Sequence, residues 1–407
     1  MWAKSRGEIP TVQERIESEK RIANWQILLF CIYIFLSFYE AYLTRFLGNS
    51  TKFYLLFVLA IFLYQGKFKI RKDKYWEMFF AWFIFKTISL SWSSMANTDF
   101  QMHFLSQIGM VLLIIVLTGR KQEKEFIHAV VQSTLWISFL YGILSIFFKA
   151  SYIDERFVAR QVLTLFGQQN DPNNCAAFLL VGIALGIYSA TIERRKIILN
   201  SIIVAVNTYA LLLTSSRAGF ITIGAVVLCI LFFPQKGHKA QIKKAIQKVA
   251  IVIVVVIVLA YIIQRFLPQA NFERLFIISG YEGGSGRDYK WEVGFELISQ
   301  RPLFGWGWSG YSLGFSSLHN TFLTSLCDVG IVGTLLLIMP MLSICYESFR
   351  KKNLLALIIF ISGVLPAVFI DSINKRFFWN AIVISIMILQ IETYGSEVCV
   401  WNASEDD

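Results

Sequence analysis

The chain has 407 residues, 56% of them hydrophobic and 16% charged, with a mean hydropathy of +0.57. Repeated apolar runs near membrane-spanning length exclude the two or three soluble domains that length alone suggests. The formal net charge of +11 reads as a membrane-topology signal, and no nucleic acid is expected as a partner.

Residues 1–24 are polar and charged, so no cleavable signal peptide is expected ahead of the first apolar run. Twelve spans follow, at about 25–43, 53–65, 75–92, 103–119, 126–148, 175–192, 197–214, 218–233, 248–264, 320–346, 353–371 and 376–394. A crossing takes roughly 20 apolar residues, because lipid offers backbone polar groups no partner. The second run is short, and 320–346 is long enough to tilt or project beyond the bilayer. With the N-terminus in the cytosol, 24 of the 38 Lys and Arg face the cytosol and 13 face outward. Short loops obey the positive-inside rule in this orientation. The C-terminus, with a tail over 395–407, returns to the cytosol. The expected fold is all-α and polytopic: one membrane domain over 1–407 with about 12 transmembrane helices, embedded in a lipid bilayer.

Two long segments face outward, 149–174 and 265–319. The cytosolic loops are short and basic, with no Walker sequence, and no DxD-like metal motif occurs in a suitable loop. The cysteines at 31, 175, 229, 327, 345 and 399 are scattered, and no CxxC or Cys/His cluster suggests a metal site or a disulfide framework. Chemistry is therefore expected on the outer face, with no metal and no cofactor.

Three outward-facing positions stand out along the chain. In "TSSRAGF" (214–220), Arg217 follows Ser215 and Ser216 and opens an inward-going helix. The unpaired N–H groups and positive dipole end of a helix start combine with Arg and Ser into an anion site. The same Arg217 also reads as an anchor that snorkels to lipid phosphates. In "GGSGRDYKWEVGFELISQ" (283–300), Ser285 suits an N-cap and Asp288 a first turn, placing Arg287 at another helix mouth. Trp291, Phe295 and Ile298 share one stripe of that helix, and Asp288, Glu292 and Glu296 another. The pattern predicts an amphipathic helix lying on the membrane surface. His319 opens a third inward-going helix, whose N-terminus disfavours the imidazolium and keeps the ring neutral, as a general base must be. Alone, it also reads as an interfacial His bound to a loop. Two Arg and one His at separate helix mouths suggest a site for a dianionic or diphosphate group beside a base.

These motifs resemble the O-antigen ligase and O-antigen/capsular polysaccharide polymerase family of bacterial membrane glycosyltransferases. The resemblance is carried by "NDPNNCAAFLL" (170–180), "TSSRAGF", "GRDYKWEVGFELISQRPLFGWGWSGY" (286–311), "HNTFLTSLCDVGIVG" (319–333) and "KRFFW" (375–379), in that order. The family commonly has Glu where this chain has Asp328, whose carboxylate is one carbon shorter. The first third matches in topology alone. The resemblance implies metal-independent, inverting transfer of a glycan from an undecaprenyl-diphosphate carrier to an acceptor sugar hydroxyl. That reaction belongs on the outer face of the bacterial cytoplasmic membrane, in the building of a surface polysaccharide. Arg217 and Arg287 then hold the diphosphate and His319 takes the acceptor proton. Ser215, Ser216, Asn173, Arg301 and Asn320 are expected in substrate binding. Trp291, Trp306 and Trp308 are placed to stack on sugar rings or to anchor at the interface.

The favoured activity is polymerisation of lipid-linked repeat units, with an acceptor glycan and a polysaccharide chain-length regulator as further partners. The alternative is ligation of a finished glycan to a different acceptor. From another class, a transporter or flippase of lipid-linked sugars would show internal repeats, broken helices and charges near the bilayer midplane. Here only Lys86 and Asp328 are obvious internal charges.

Overall fold

In the computed structural model the chain is described over residues 12–48, 54–60, 70–94, 100–120, 122–153, 159–233, 265, 287–311, 317–392 and 400–401. Its apolar stretches fold as helices, because a helix pairs its own backbone polar groups where lipid cannot. In chain order these are α1 (Val12–Leu47), α2 (helical over 54–60), α3 (Lys74–Ile88), α4 (Phe100–Thr118), α5 (Lys124–Phe147), α6 (Pro172–Tyr188), α7 (Ile197–Thr214), α8 (Arg217–Phe232), α9 (Arg287–Gln300), α10 (Thr321–Arg350), α11 (Leu354–Val364) and α12 (Arg376–Glu392). Among the described residues, 5 helices are long and apolar enough to cross a membrane, and α4, α8, α11 and α12 contain shorter apolar helices. The expected span at 248–264 and the loop over 266–286, with Ser285, lie outside the described residues.

Polar residues set the helix starts. Asp73 caps α3, Asp171 caps α6 with Pro172 in its first turn, and Asn353 caps α11. Each side chain accepts a hydrogen bond from an N–H that the helix leaves unpaired. Every residue of α11 except Ile361 is buried, and the helix packs on α12, α6 and α8. An apolar surface all round thus places it at the core. A second packing centre joins α5, α6 and α7. There Asn207 donates to Ser138 Oγ at 3.3 Å, and Ser138 donates to Phe178 O at 2.9 Å. A Cβ on Gly142 or Gly182 would strike this pair; small residues let membrane helices approach closely.

The all-α expectation needs one correction. Part of 149–174 forms a 3-stranded antiparallel sheet of β1 (Lys149–Ile153), β2 (Ala159–Leu165) and β3 (Gln168–Gln169). Phe166 (φ 55°) and Gly167 (φ 74°) make the tight turn between β2 and β3, the left-handed pair that a two-residue hairpin turn requires. The sheet lies over the first turn of α6 and the last of α7.

The second correction concerns α10, expected as one continuous span. Gly330 is non-helical, at φ 63° and ψ −166°. The loop that follows α9 docks in this break. Trp306 N–H donates to Cys327 O (2.9 Å) and Gly307 N–H to Asp328 O (2.9 Å), while Ile331 and Val332 N–H donate to Pro302 O (2.8 Å) and Leu303 O (3.2 Å). The helix has exchanged part of its own ladder for bonds to the loop. Lys86 and Asp328 pair beneath it at 3.3 Å, both buried.

The opposite ends of the spans gather basic residues. Lys74 and Arg350 both pair with Glu347, Lys351 donates to Leu389 O, and Arg71 N–H donates to Gly119 O. The expected tail is in part docked: Val400 N–H donates to Glu193 and Arg195 donates to Trp401 O.

Candidate functional site

The turn between α7 and α8 is built around a buried arginine that the motifs did not single out. Ser215 takes a left-handed φ of 49°, and Ser216 caps α8 by accepting from Gly219 N–H at 3.4 Å. Ser216 Oγ donates to Asn173 Oδ1 at 3.0 Å. Arg160, on β2 and 5% exposed, donates from Nε to Thr214 O at 2.8 Å and from Nη2 to Asn173 Oδ1 at 3.1 Å. Ser215 and Ser216 are themselves buried, whereas Arg217 is exposed. Asn173 and the two serines expected to bind substrate therefore hold the turn, and Arg217 is the group it presents.

His319 sits just before α10 with a left-handed φ of 52°, its N–H donating to Ser317 Oγ at 3.0 Å. Asn320 caps α10, accepting from Phe322 and Leu323 N–H at 3.0 Å each. Its carboxamide oxygen serves the helix start rather than an open pocket. Burial, then the charges of Lys290 and Arg287, hold the His319 pKa below 6.5, while Asp171 and Asp371 pull it upward. All four charges act on the imidazole. Asp371 is fixed beside it through Thr321, whose hydroxyl donates to Ile370 O (2.9 Å) and accepts from Ser372 N–H (2.7 Å).

Arg287 opens α9, which is anchored on the start of α10. Trp291 Nε1 donates to Leu318 O at 3.1 Å, adjacent to His319. Gly294 is buried, and a Cβ there would come within 2.9 Å of Leu323. The packed stripe thus runs through buried Gly294 and half-buried Trp291, Leu297 and Ile298, while Phe295 is 60% exposed. This differs from the stripe expected on spacing, because the helix uses its glycine as the contact point. Arg287 and Lys290, one turn apart, share the face toward His319.

The aromatic and remaining basic residues separate by burial. Trp308 is 2% exposed and lies over Lys86 Nζ at 4.6 Å, leaving no open ring face for a sugar. Trp306 is half-buried, with its Nε1 on Leu297 O (2.9 Å) and the Arg301 guanidinium over its ring at 4.2 Å. Arg301 lines a separate apolar groove of about 830 Å³ with Phe85, Ile88, Trp92 and Phe304.

The arrangement brings three motifs to one place. Ser216, next to Arg217, is bonded to Asn173; Asp171, two residues away, acts on His319; and His319 lies in the field of Arg287. Sequence reasoning missed Arg160, Lys290, Asp171 and Asp371. Asp171 alone left a sequence signal, as an Asp directly before a Pro at a helix start. A model of one protein family, described as O-antigen ligase, matches residues 202–338. The match contains Arg217, Arg287 and His319. No curated protein matches the chain.

Proposed function

We propose, from the premise that residues 202–338 are an O-antigen ligase family domain in a membrane glycosyltransferase of that type, that this protein joins lipid-linked oligosaccharide repeat units into a polysaccharide. The donor in this reading is a glycan on a polyprenyl diphosphate, such as undecaprenyl diphosphate. The observation that carries it is His319 at the start of α10, in the combined field of Arg287, Lys290, Asp171 and Asp371, with Asp171 two residues from the Asn173 that bonds the turn presenting Arg217.

The steps balance without an external energy source. The acceptor hydroxyl attacks the anomeric carbon opposite the leaving group, a C–O bond forms, and the C–O bond to the diphosphate breaks with inversion. Charge grows on the diphosphate, where Arg217 and Arg287 stabilise it. Lys290 adds a third positive charge. His319 takes the hydroxyl proton, and the carboxylates of Asp171 and Asp371 stabilise the imidazolium that results. The basic ends of α3, α10 and the neighbouring loops gather opposite the site, which favours an outer-face location under the positive-inside rule.

The family description favours a second reading, in which a finished glycan is ligated to a different acceptor. The broken α10 and the buried Lys86–Asp328 pair are features that transporters also use. Here both are taken up in docking the loop after α9. Reconstitution with lipid-linked repeat units alone separates the three. A ladder of glycans supports polymerisation. Product only after a second acceptor is added supports ligation, and movement across the bilayer without new glycosidic bonds overturns both.

A further inference from the structure

The Lys86–Asp328 pair, 3.3 Å apart, is almost wholly buried, and Asp328 also hydrogen-bonds Tyr311 and interacts with Asp371 of the proposed site. Lys86 Nζ lies 4.6 Å from the Trp308 ring centroid and 5.6 Å from that of Trp82. The other carboxylate oxygen, Asp328 Oδ1, accepts from Ser309 N–H at 3.1 Å. The same loop is held from the α3 side. Trp308 N–H donates to Ser89 Oγ (3.0 Å), Ser93 Oγ donates to Trp308 O (3.0 Å) and Ser94 Oγ donates to Gly310 O (2.6 Å). A Cβ on Gly305, Gly307 or Gly330 would strike backbone on the facing segment, so loop and helix meet main chain to main chain.

The loop is in turn bonded to the end of α9. Arg301 N–H donates to Ile298 O and Gly305 N–H to Arg301 O, and the Trp306 indole reaches back to Leu297 O. A pair of apolar residues would fill the space under the loop at lower desolvation cost. What an ion pair adds is intolerance of slippage. A loop displaced by one residue would strand two charges and the Cys327 and Asp328 carbonyls in a low-dielectric interior.

From this we infer that Lys86 and Asp328 are positioning residues: a clamp that fixes α9, and with it Arg287 and Lys290, against His319. What the clamp positions rests on the transfer reaction proposed above; that it clamps does not.

The test uses the full chain in lipid nanodiscs, reading hydrogen–deuterium exchange and glycan transfer side by side. Lys86→Met leaves Asp328 buried without its cation. Exchange at the Trp306, Gly307, Ile331 and Val332 amides should rise at least about tenfold, with α11 and α12 unchanged. Lys86→Met with Asp328→Asn removes both charges and keeps an acceptor for Ser309 N–H, so much of the protection should return. Asp328→Glu, which keeps the charge, should stay nearest the parent. The kcat of Lys86→Met should fall about tenfold or more, with KM for the lipid-linked donor little changed. Parent-like exchange in Lys86→Met overturns the clamp, and raised exchange with parent-like kcat overturns its positioning role. A parent protein that transfers no glycan sinks the functional reading alone, since the exchange experiment still decides whether the pair holds the loop.

Discussion

Arg217 gains its meaning from residues that do not resemble a site. A cation at a membrane edge is ordinary, but this one follows two buried serines and a turn locked by Arg160 through Thr214 and Asn173. Arg217→Ala should lower transfer by about 100-fold or more while the protein stays folded; Arg217→Lys should restore little, because an ammonium lacks the planar fork. Arg160→Met should also slow transfer, by about tenfold, although Arg160 need not touch substrate. A thermal melt of the purified protein then separates lost positioning from lost fold. His319 supplies a pH test with a definite sign. Its pKa lies below 6.5 through burial and then Lys290 and Arg287, so the basic form prevails at neutral pH and the rate should fall on acidification. Lys290→Gln removes a cation that disfavours the imidazolium and should move that acid limb to higher pH. Asp371→Asn should move it to lower pH. A pH–rate profile of each variant checks both directions.

Helices were far more legible than the contacts between them. Apolar runs at spanning length located α5, α6, α7 and α10 within a few residues, because the bilayer imposes both length and polarity; α1 begins at Val12, 13 residues before the expected span at 25–43. The hairpin between α5 and α6 was not legible: its strands are short, and its positive-φ turn at Phe166–Gly167 lacks the Asn-Gly or Asp-Gly signal. The break in α10 was not expected. "VGIVG" marked glycines in a span, but the exchange of backbone bonds with Pro302, Leu303, Trp306 and Gly307 is a long-range event that no local pattern encodes. Gly330→Ala tests it, since φ 63° is strained for alanine and its Cβ would strike the Leu303 carbonyl. The variant should lose about 1–3 kcal/mol or more of stability, read as a lower melting temperature in detergent and reduced abundance in membranes. Trp308 shows the same limit from the other side. Its place in an outer-loop motif suggested sugar stacking, and only the docked loop puts it over Lys86.

At the scale of the whole molecule, polarity is divided between two ends. Around His319 lie the starts of α6, α8, α9 and α10; at the other end lie the basic loops with Lys74, Arg350 and Lys351. The orientation drawn from this is testable by single-cysteine labelling in a background without the native cysteines. Ser299→Cys, on exposed α9, should react with a membrane-impermeant maleimide added outside intact cells, and Lys72→Cys should react only after the cells are opened. The reverse pattern would place the site in the cytosol and remove the proposed donor from reach. The most direct measurement of the central claim is transfer by purified protein in liposomes, supplied with a polyprenyl-diphosphate glycan and its acceptor. Both the new glycosidic bond and the released polyprenyl diphosphate should be followed. The parent should form both products in equal amounts, and Arg217→Ala, Arg287→Ala and His319→Ala should each form almost none, with parent-like melting temperatures. Near-parent transfer by all three folded variants would contradict it.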